Sequence, residues 1–291
     1  MPSKTVKGVF MFVDIGIIVI LLIGLIVGIV RGTAKSIIKL LSLVGGLVLT
    51  WFLAPYVMKF VFDIPLLNNL IIGEKISLKA LFADANIATL TESSFILKTV
   101  CTPLQENIGA ILAAKEITAI TVEQIMPYAL AVYSATVFVS FLVYLVVRLL
   151  IMIIAAIIKA IFIKNVPGGF SRFIGAILGL VNSVVAIMWI FMLTSAIIGM
   201  PALTEPISSQ TNGSLGVSWT YEFFQAGFNE HILTDEQIVK YDYIEHACKA
   251  AASHYEVEWP EPGTGTEPGS GTVTPEPGSG TEPGSGTVTP E

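Results

Sequence analysis

The chain has 291 residues, of which 54% are hydrophobic and 13% charged, whereas charged residues make up about 25% of soluble globular proteins. This composition excludes an ordinary soluble domain and predicts a protein whose solvent is lipid. The charges are unevenly divided, since residues 1–202 carry 14 Lys and Arg against 8 Asp and Glu, and residues 203–291 carry 2 against 14. Because nucleic-acid binding needs clustered cations, the acidic C-terminal part argues against nucleic acid as a partner.

Four apolar segments are long enough to cross a bilayer. The hydrocarbon core is about 30 Å thick and an α-helix rises ~1.5 Å per residue, so roughly 20 apolar residues are needed. The segments are 9–30, 37–62, a span within 128–163, and 173–200. The first is too long for the apolar region of a signal peptide and no A-x-A site follows it, so we predict a retained span. The predicted fold is an all-α polytopic membrane protein with four transmembrane helices.

Basic residues at two short turns predict the orientation of these spans. Lys and Arg near helix ends are retained in the cytoplasm. The cations between spans one and two and around the turn between spans three and four are Arg31, Lys35, Lys39, Lys159, Lys164 and Arg172. We therefore expect both turns in the cytoplasm, and the N-terminus, the loop 63–126 and the C-terminal region outside it. Lys4, Lys7 and Lys59 oppose this orientation but are fewer.

The outer segments contain helix-start signals. Thr102–Gln105 and Thr121–Gln124 match the capping box, in which side chains satisfy the first backbone donors of a helix, so the loop 63–126 is predicted to be partly helical. A third box at 234–237 predicts an amphipathic helix to about residue 255, docked onto the loop or the membrane surface. Its apolar face contains Tyr241, Ile244, Cys248, Ala251 and Tyr255.

The C-terminal tail is a repeat of Pro, Gly, Ser, Thr and Glu in which residues 266–276 recur as 281–291. With few apolar side chains to offset its ordering entropy, it is predicted to be a disordered tether, serving as a spacer or carrying glycans. The predicted organisation is a four-helix membrane domain over 1–202, an extracytoplasmic segment over 203–258, and the tail over 259–291.

Few ionisable residues fall within the spans, where charge is costly and functional roles are common, and Asp14 and Arg148 are the main candidates. Asp14, near the outer end of span one, is either an ion or proton site or an interfacial carboxylate that meets water or a polar group of a neighbouring helix. Arg148, toward the inner end of span three, either lines a pathway or snorkels to the inner headgroups. Both interpretations of each residue stay open.

Glycines spaced by four predict helix faces that allow close backbone approach. They are Gly24, Gly28 and Gly32 on one side, and Gly175 and Gly179 on the other. This spacing indicates close helix packing, within one chain or between copies, and no catalysis.

Cys101 and Cys248 both fall in segments predicted to lie outside the cytoplasm, where a disulfide can persist. They are either paired or packed separately as small apolar groups. Glu245, His246, Cys248 and His254 lack zinc-ligand spacing and are predicted to be surface residues. No serine-hydrolase or aspartyl-protease motif is present. We therefore expect a non-enzymatic protein without a metal or cofactor.

Several of these residues carry a family resemblance. Phe12-Val13-Asp14, then Arg31-Gly32, and later the run Arg172 to Leu180 with Gly175 and Gly179 resemble the colicin V production protein (CvpA) family over residues 9–200. The resemblance implies a four-span protein of the bacterial inner membrane, linked to bacteriocin export and envelope homeostasis. Short family members lack the long outer loop and the C-terminal extension, so the resemblance implies no function for these two regions.

The sequence therefore predicts a CvpA-type membrane protein that supports production or secretion of a colicin V-like bacteriocin, or envelope homeostasis. Its expected partners are the lipid bilayer and other membrane proteins or a second copy of itself. One alternative is a small-solute channel or transporter with Asp14 and Arg148 lining the path. Another is a membrane anchor that presents the outer helix to the cell wall.

Overall fold

The computed structural model describes residues 12–74, 77–82, 94–162, 170–198, 200–220 and 243–260, with backbone alone at 31–41, 156, 158–162, 170–171, 201–202, 204, 210, 215 and 219–220. These residues form helices without a β-strand. The helices are α1 (Phe12–Asp63), α2 (Pro65–Ile72), a 3-10 turn (Lys79–Leu81), α3 (Phe95–Ala114), α4 (Val122–Phe162), α5 (Phe170–Ile197), α6 (Pro201–Thr211), α7 (Leu215–Thr220) and α8 (Tyr243–His254).

Four stretches of these helices are long and apolar enough to span a membrane, which confirms the predicted all-α polytopic fold. They are Phe12–Val30, Ser42–Asp63, Val122–Ala155 and Arg172–Ile197. Their outward faces expose large aliphatic side chains such as Leu22, Ile26 and Ile154, which in a bilayer contact lipid. The third stretch has 34 residues, or about 50 Å at ~1.5 Å per residue, so it extends beyond a core of about 30 Å.

Helix α1 contains the first two spans, and its two halves lie side by side. Gly24 contacts Ser183 of α5. Gly46 packs against Arg148 of α4, whose guanidinium bonds to Asn182, the neighbour of Ser183. In a straight helix Gly24 and Gly46 would be separated by about 33 Å. The axis therefore reverses between the two spans, as the basic residues there suggested, although the backbone is helical where a turn was expected.

A helical layer, here called the cap, covers the ends of the spans opposite the basic residues. It consists of α2, the 3-10 turn, α3, the first three turns of α4, and residues 243–259 around α8. Its buried core joins these elements through Phe82, Ile96, Leu104, Ile108, Ile125, Tyr243 and Ala247.

The inward face of α8 follows the predicted stripe in part. Ile244, Cys248 and Ala251 are buried against the rest of the cap, so α8 docks onto the outer loop. Tyr255 does not share that burial, since it follows the last helical residue and is 42% exposed. The prediction for Tyr255 was wrong because the helix ends before it.

One predicted helix start is correct and one is wrong. The backbone N–H of Thr121 donates to Gln124 Oε1 at 2.9 Å and that of Gln124 donates to Thr121 Oγ1 at 3.4 Å, which is a capping box at the start of α4. Helix α3, however, begins after Ser94, whose hydroxyl accepts from the Leu97 amide. Thr102 lies inside α3 because Ser94 caps the helix two turns earlier.

The chain divides into compact units at residues 1–259 and 260–291. All of the second unit beyond Pro260 lies outside the described residues, and so do the predicted box at 234–237 and the turn at 167–169. The side chain of Arg31 and the surroundings of Gly32 are also outside the description.

A polar cluster between close-packed helices

The four described glycines of the predicted packing faces meet where α1 crosses α5. A Cβ atom on Gly24 would lie 2.8 Å from the carbonyl oxygen of Gly179. A Cβ on Gly28 would lie 3.1 Å from the Gly179 Cα and would overlap the carbonyl of Gly175. Only the absence of side chains allows these two backbones to touch, which is how small residues act in membrane helix pairs.

Asp14 is buried and bonded to a segment 200 residues away. Its Oδ1 accepts the Ser214 hydroxyl at 2.6 Å and the Gly216 backbone N–H at 3.1 Å. The Ser214 oxygen in turn accepts the Val217 amide at 3.2 Å, which caps α7. Gly216 allows this approach, since a Cβ there would collide with Ile17. Asp14 therefore ties the start of span one to α7.

Arg148 lies between three helices with neutral partners. Its Nη1 donates to the Tyr144 hydroxyl at 3.0 Å and its Nη2 donates to Asn182 Oδ1 at 2.7 Å. Asn182 follows Arg172 by ten residues and precedes Ile197 by fifteen, about 15 and 22 Å along the axis of α5. The guanidinium thus points sideways into the bundle, whereas snorkelling would direct it to the headgroups. Its Nε is buried and has no hydrogen-bond partner among the residues that the structure describes.

Aromatic rings and a glycine enclose this cluster. The Trp189 ring of α5 lies 5.0 Å from the Tyr144 ring and 5.3 Å from the Phe141 ring, centroid to centroid. On the other side, a Cβ on Gly46 would lie 3.3 Å from Tyr144. Asn182 was missed in the sequence, although an isolated amide within the apolar run of span four was a visible signal. The arrangement holds a permanent cation in an apolar part of the bundle.

The cap contains a second set of polar contacts. Lys115 pairs with Glu245 at 3.0 Å, and the Trp259 indole N–H donates to the same carboxylate at 3.4 Å. Burial alone would raise the pKa of Glu245, but the hydrogen bond and charge of Lys115 outweigh it and the pKa is lowered. These contacts fix the first turn of α8, and Trp259 beyond its end, to the end of α3.

His246 is half-buried and Cys248 is fully buried in the cap, so the prediction of these two as surface residues was wrong. Its Nε2 lies 3.0 Å from Asn68 Oδ1 and its ring lies 4.4 Å from that of Phe62. Burial, together with the nearby charge of Lys249, lowers the pKa of His246 to about 4. His254 stays on the surface. The sequence did not reveal that α2 would cover His246.

An open cleft of about 600 Å³ lies beside α8 in the cap. Its polar lining includes Asn69, Glu74, Tyr128 and His254. The His254 ring nitrogen lies 3.5 Å from Glu74. Among the described residues no three His, Cys, Asp or Glu side chains converge as metal ligands.

Cys101 and Cys248, both within the described residues, are not joined by a disulfide. Each is fully buried in the cap core, and burial raises the pKa of the Cys101 thiol to about 12. Of the two alternatives left open by the sequence, the structure has the separately packed thiols, because each side chain fills its own apolar environment.

No curated protein and no solved structure matches the chain. Residues 13–101 match the family described as Colicin V production protein. The match contains Asp14, Gly24 and Gly28 and both halves of α1, but ends before Arg148 and the glycines of α5, so it is shorter than the resemblance over 9–200. The first two spans, α2 and the start of α3 are therefore similar to the colicin V production protein family.

Proposed function

We propose that this CvpA-type membrane protein acts as a non-enzymatic scaffold that supports production or secretion of a colicin V-like bacteriocin, or envelope homeostasis. In this proposal the cap faces away from the cytoplasm, because the basic residues lie at the opposite ends of the spans. The scaffold would act through helix packing and through contacts with other membrane proteins.

The bonding of Asp14 is the observation that carries the proposal. A carboxylate that binds a transported ion or proton needs oxygen atoms available to it. Asp14 is 9% exposed, and its Oδ1 is used by Ser214 and by the Gly216 backbone. These contacts favour a structural clamp over a transport site.

Substitution of Asp14 distinguishes the scaffold from a transporter. Asp14→Asn keeps an acceptor oxygen and removes the charge, whereas Asp14→Ala removes the acceptor. In a deletion strain, we expect Asp14→Asn to restore bacteriocin secretion or detergent resistance and Asp14→Ala to restore much less at equal membrane abundance. Proteoliposomes of the purified protein should stay tight to protons and small ions. A flux that is present in the unmodified protein and absent in Asp14→Asn would refute the scaffold.

The second candidate is a small-solute channel or transporter, and Arg148 is the observation that favours it. Buried cations within a membrane commonly mark solute pathways, and Arg148 is held among neutral partners. Chloride efflux from proteoliposomes that disappears in Arg148→Gln would support this function. Slow chloride efflux that is the same in the unmodified protein and in Arg148→Gln would exclude a channel or transporter.

A further inference from the structure

The charge of Arg148 has no counterpart inside the spans of its own chain. The acidic residues within the four spanning stretches are Asp14, Asp63 and Glu123, and all three lie at the ends nearest the cap. Glu123 is separated from Arg148 by 25 positions of the same helix, about 37 Å. A guanidinium carries a permanent positive charge, and within the described residues the half-buried guanidinium of Arg148 bonds only to neutral groups.

The hydrogen bonds of Arg148 use only some of its N–H donors. Arginine has five N–H donors, and two are used by Tyr144 and Asn182, which are both neutral. The Nε donor is buried with no acceptor among the described residues. Charges within membranes usually pair with one another or with backbone carbonyls, whereas the partners of Arg148 among the described residues are a hydroxyl and a side-chain amide.

Neither a second copy nor a lipid headgroup fits as the source of the missing anion. A second copy has the same spans and contributes no carboxylate at the level of Arg148. Headgroup phosphates lie at the helix ends, about 10 Å along α4 from Arg148 to Ala155 and about 15 Å along α5 from Asn182 to Arg172, and the guanidinium is directed at Asn182 instead of toward those ends. The neighbouring side chains Leu145 and Leu149 are 43% and 54% exposed on the lipid face of α4, so a further helix has access beside the cluster.

We propose that Arg148 and the adjacent lipid face of α4 form a docking site for a transmembrane helix of a different membrane protein, which places an Asp or Glu side chain in the interior of the bilayer. This inference deepens the proposed scaffold function by naming the chemistry of its partner. The carboxylate would pair with the guanidinium while Tyr144 and Asn182 hold it in place.

A synthetic helix tests the site without a known partner. The purified protein, labelled in the cap, is reconstituted in phosphatidylcholine vesicles with labelled Leu-rich helices that carry a central Asp, Asn or Leu. Energy transfer reports association. We expect the Asp helix to bind about five- to thirtyfold more tightly than the Leu helix, since one polar interhelical contact contributes about 1–2 kcal/mol in peptides and 1.4 kcal/mol is tenfold. The Asn helix should fall between them.

Variants of Arg148 decide whether that preference depends on its charge. Arg148→Gln should remove the preference for Asp, and Arg148→Lys should keep part of it. A preference that is retained in Arg148→Lys shows that the loss in Arg148→Gln is caused by the missing charge and not by misfolding. Lys59→Gln, which removes a cation near the end of span two, is the matched control and should bind as the unmodified protein does. Equal binding of Asp and Leu helices, or an Asp preference that survives Arg148→Gln, would overturn the proposal. Failure would leave the scaffold function to be decided by the Asp14 complementation assay.

Discussion

The carboxylate of Asp14 and the hydroxyl of Ser214 lie 2.6 Å apart although 200 residues separate them in the chain. Ser214 also caps α7 by accepting the Val217 amide. The contact therefore couples the first turn of span one to the folding of a short helix beyond span four. Because it is buried, its loss leaves polar groups that neither water nor lipid can satisfy.

The Asp14 and Ser214 contact predicts coupled losses of stability. Asp14→Ala should lower the free energy of unfolding by about 1–3 kcal/mol, because it leaves the Ser214 hydroxyl and the Gly216 amide without their acceptor. The double variant with Ser214→Ala should cost less than the sum of the two single variants. Unfolding in mixed detergent and SDS micelles measures both effects.

Ser209→Ala is the control for this comparison of single and double variants, since Ser209 is exposed and bonds locally to the Pro206 carbonyl. It should change stability by less than about 0.5 kcal/mol. Strict additivity of Asp14→Ala and Ser214→Ala would contradict the direct contact.

Because α1 and α5 touch at their glycines, the effect of a Gly→Ala substitution on stability should depend strongly on its position in α1. Gly28→Ala should lower stability by about 1–3 kcal/mol, because its Cβ meets the Gly175 backbone, which has no rotamer with which to move away. Gly16→Ala in the same span is the matched control, since a Cβ there has nothing within 4 Å. Melting temperatures in detergent compare the two. Equal effects at both positions would show that helix propensity, and not the crossing, determines the outcome.

The number of spans and the first turn of α4 were predictable because their signals are local. A run of apolar residues identifies a span from its own length, and Thr121 and Gln124 are separated by three positions. The same local reasoning failed for Thr102, because nothing near it in sequence indicates that Ser94 had already started the helix.

The polar cluster was only partly predictable because its contacts are long-range. Arg148 and Asp14 were identified as ionisable residues within spans, but their partners Asn182 and Ser214 are determined by which helices pack together. No period or motif in the chain specifies that choice. The burial of His246 is another such case, since Asn68 reaches it from 178 positions away.

The two cysteines should be unreactive in the folded protein. Burial raises the pKa of Cys101 to about 12, and the thiolate is the reactive form. We expect little labelling of Cys101 or Cys248 by a maleimide in native detergent micelles and labelling of both in SDS without a reductant. Mass spectrometry counts the adducts. An SDS-denatured protein that needs reductant before it labels would show that a disulfide forms after all.

The low pKa of His246 predicts that the stability of the cap depends on pH. The folded pKa of His246, about 4, lies below the ordinary histidine value of 6.5, so between these values the unfolded chain binds more protons than the folded one. Stability from the neutral His246 is therefore fully present above pH 6.5 and is lost as the pH falls toward 4, by up to about 3 kcal/mol at 1.36 kcal/mol per pKa unit. Thermal unfolding between pH 7.5 and 4.5 measures the slope.

Two histidine variants separate this effect from general acid sensitivity. His246→Gln retains a polar group near Asn68 and should flatten the dependence between pH 6.5 and 5, at some cost in stability at pH 7.5. His254→Gln removes the exposed histidine and should keep the full slope. The pKa of Glu245 is lowered by Lys115, so the stability that its carboxylate contributes is lost only below the ordinary pKa range of a glutamate. Glu245 therefore does not produce the loss of stability expected between pH 6.5 and 5. A slope that persists in His246→Gln and disappears in His254→Gln would place the titrating group at the surface cleft and contradict the buried position of His246.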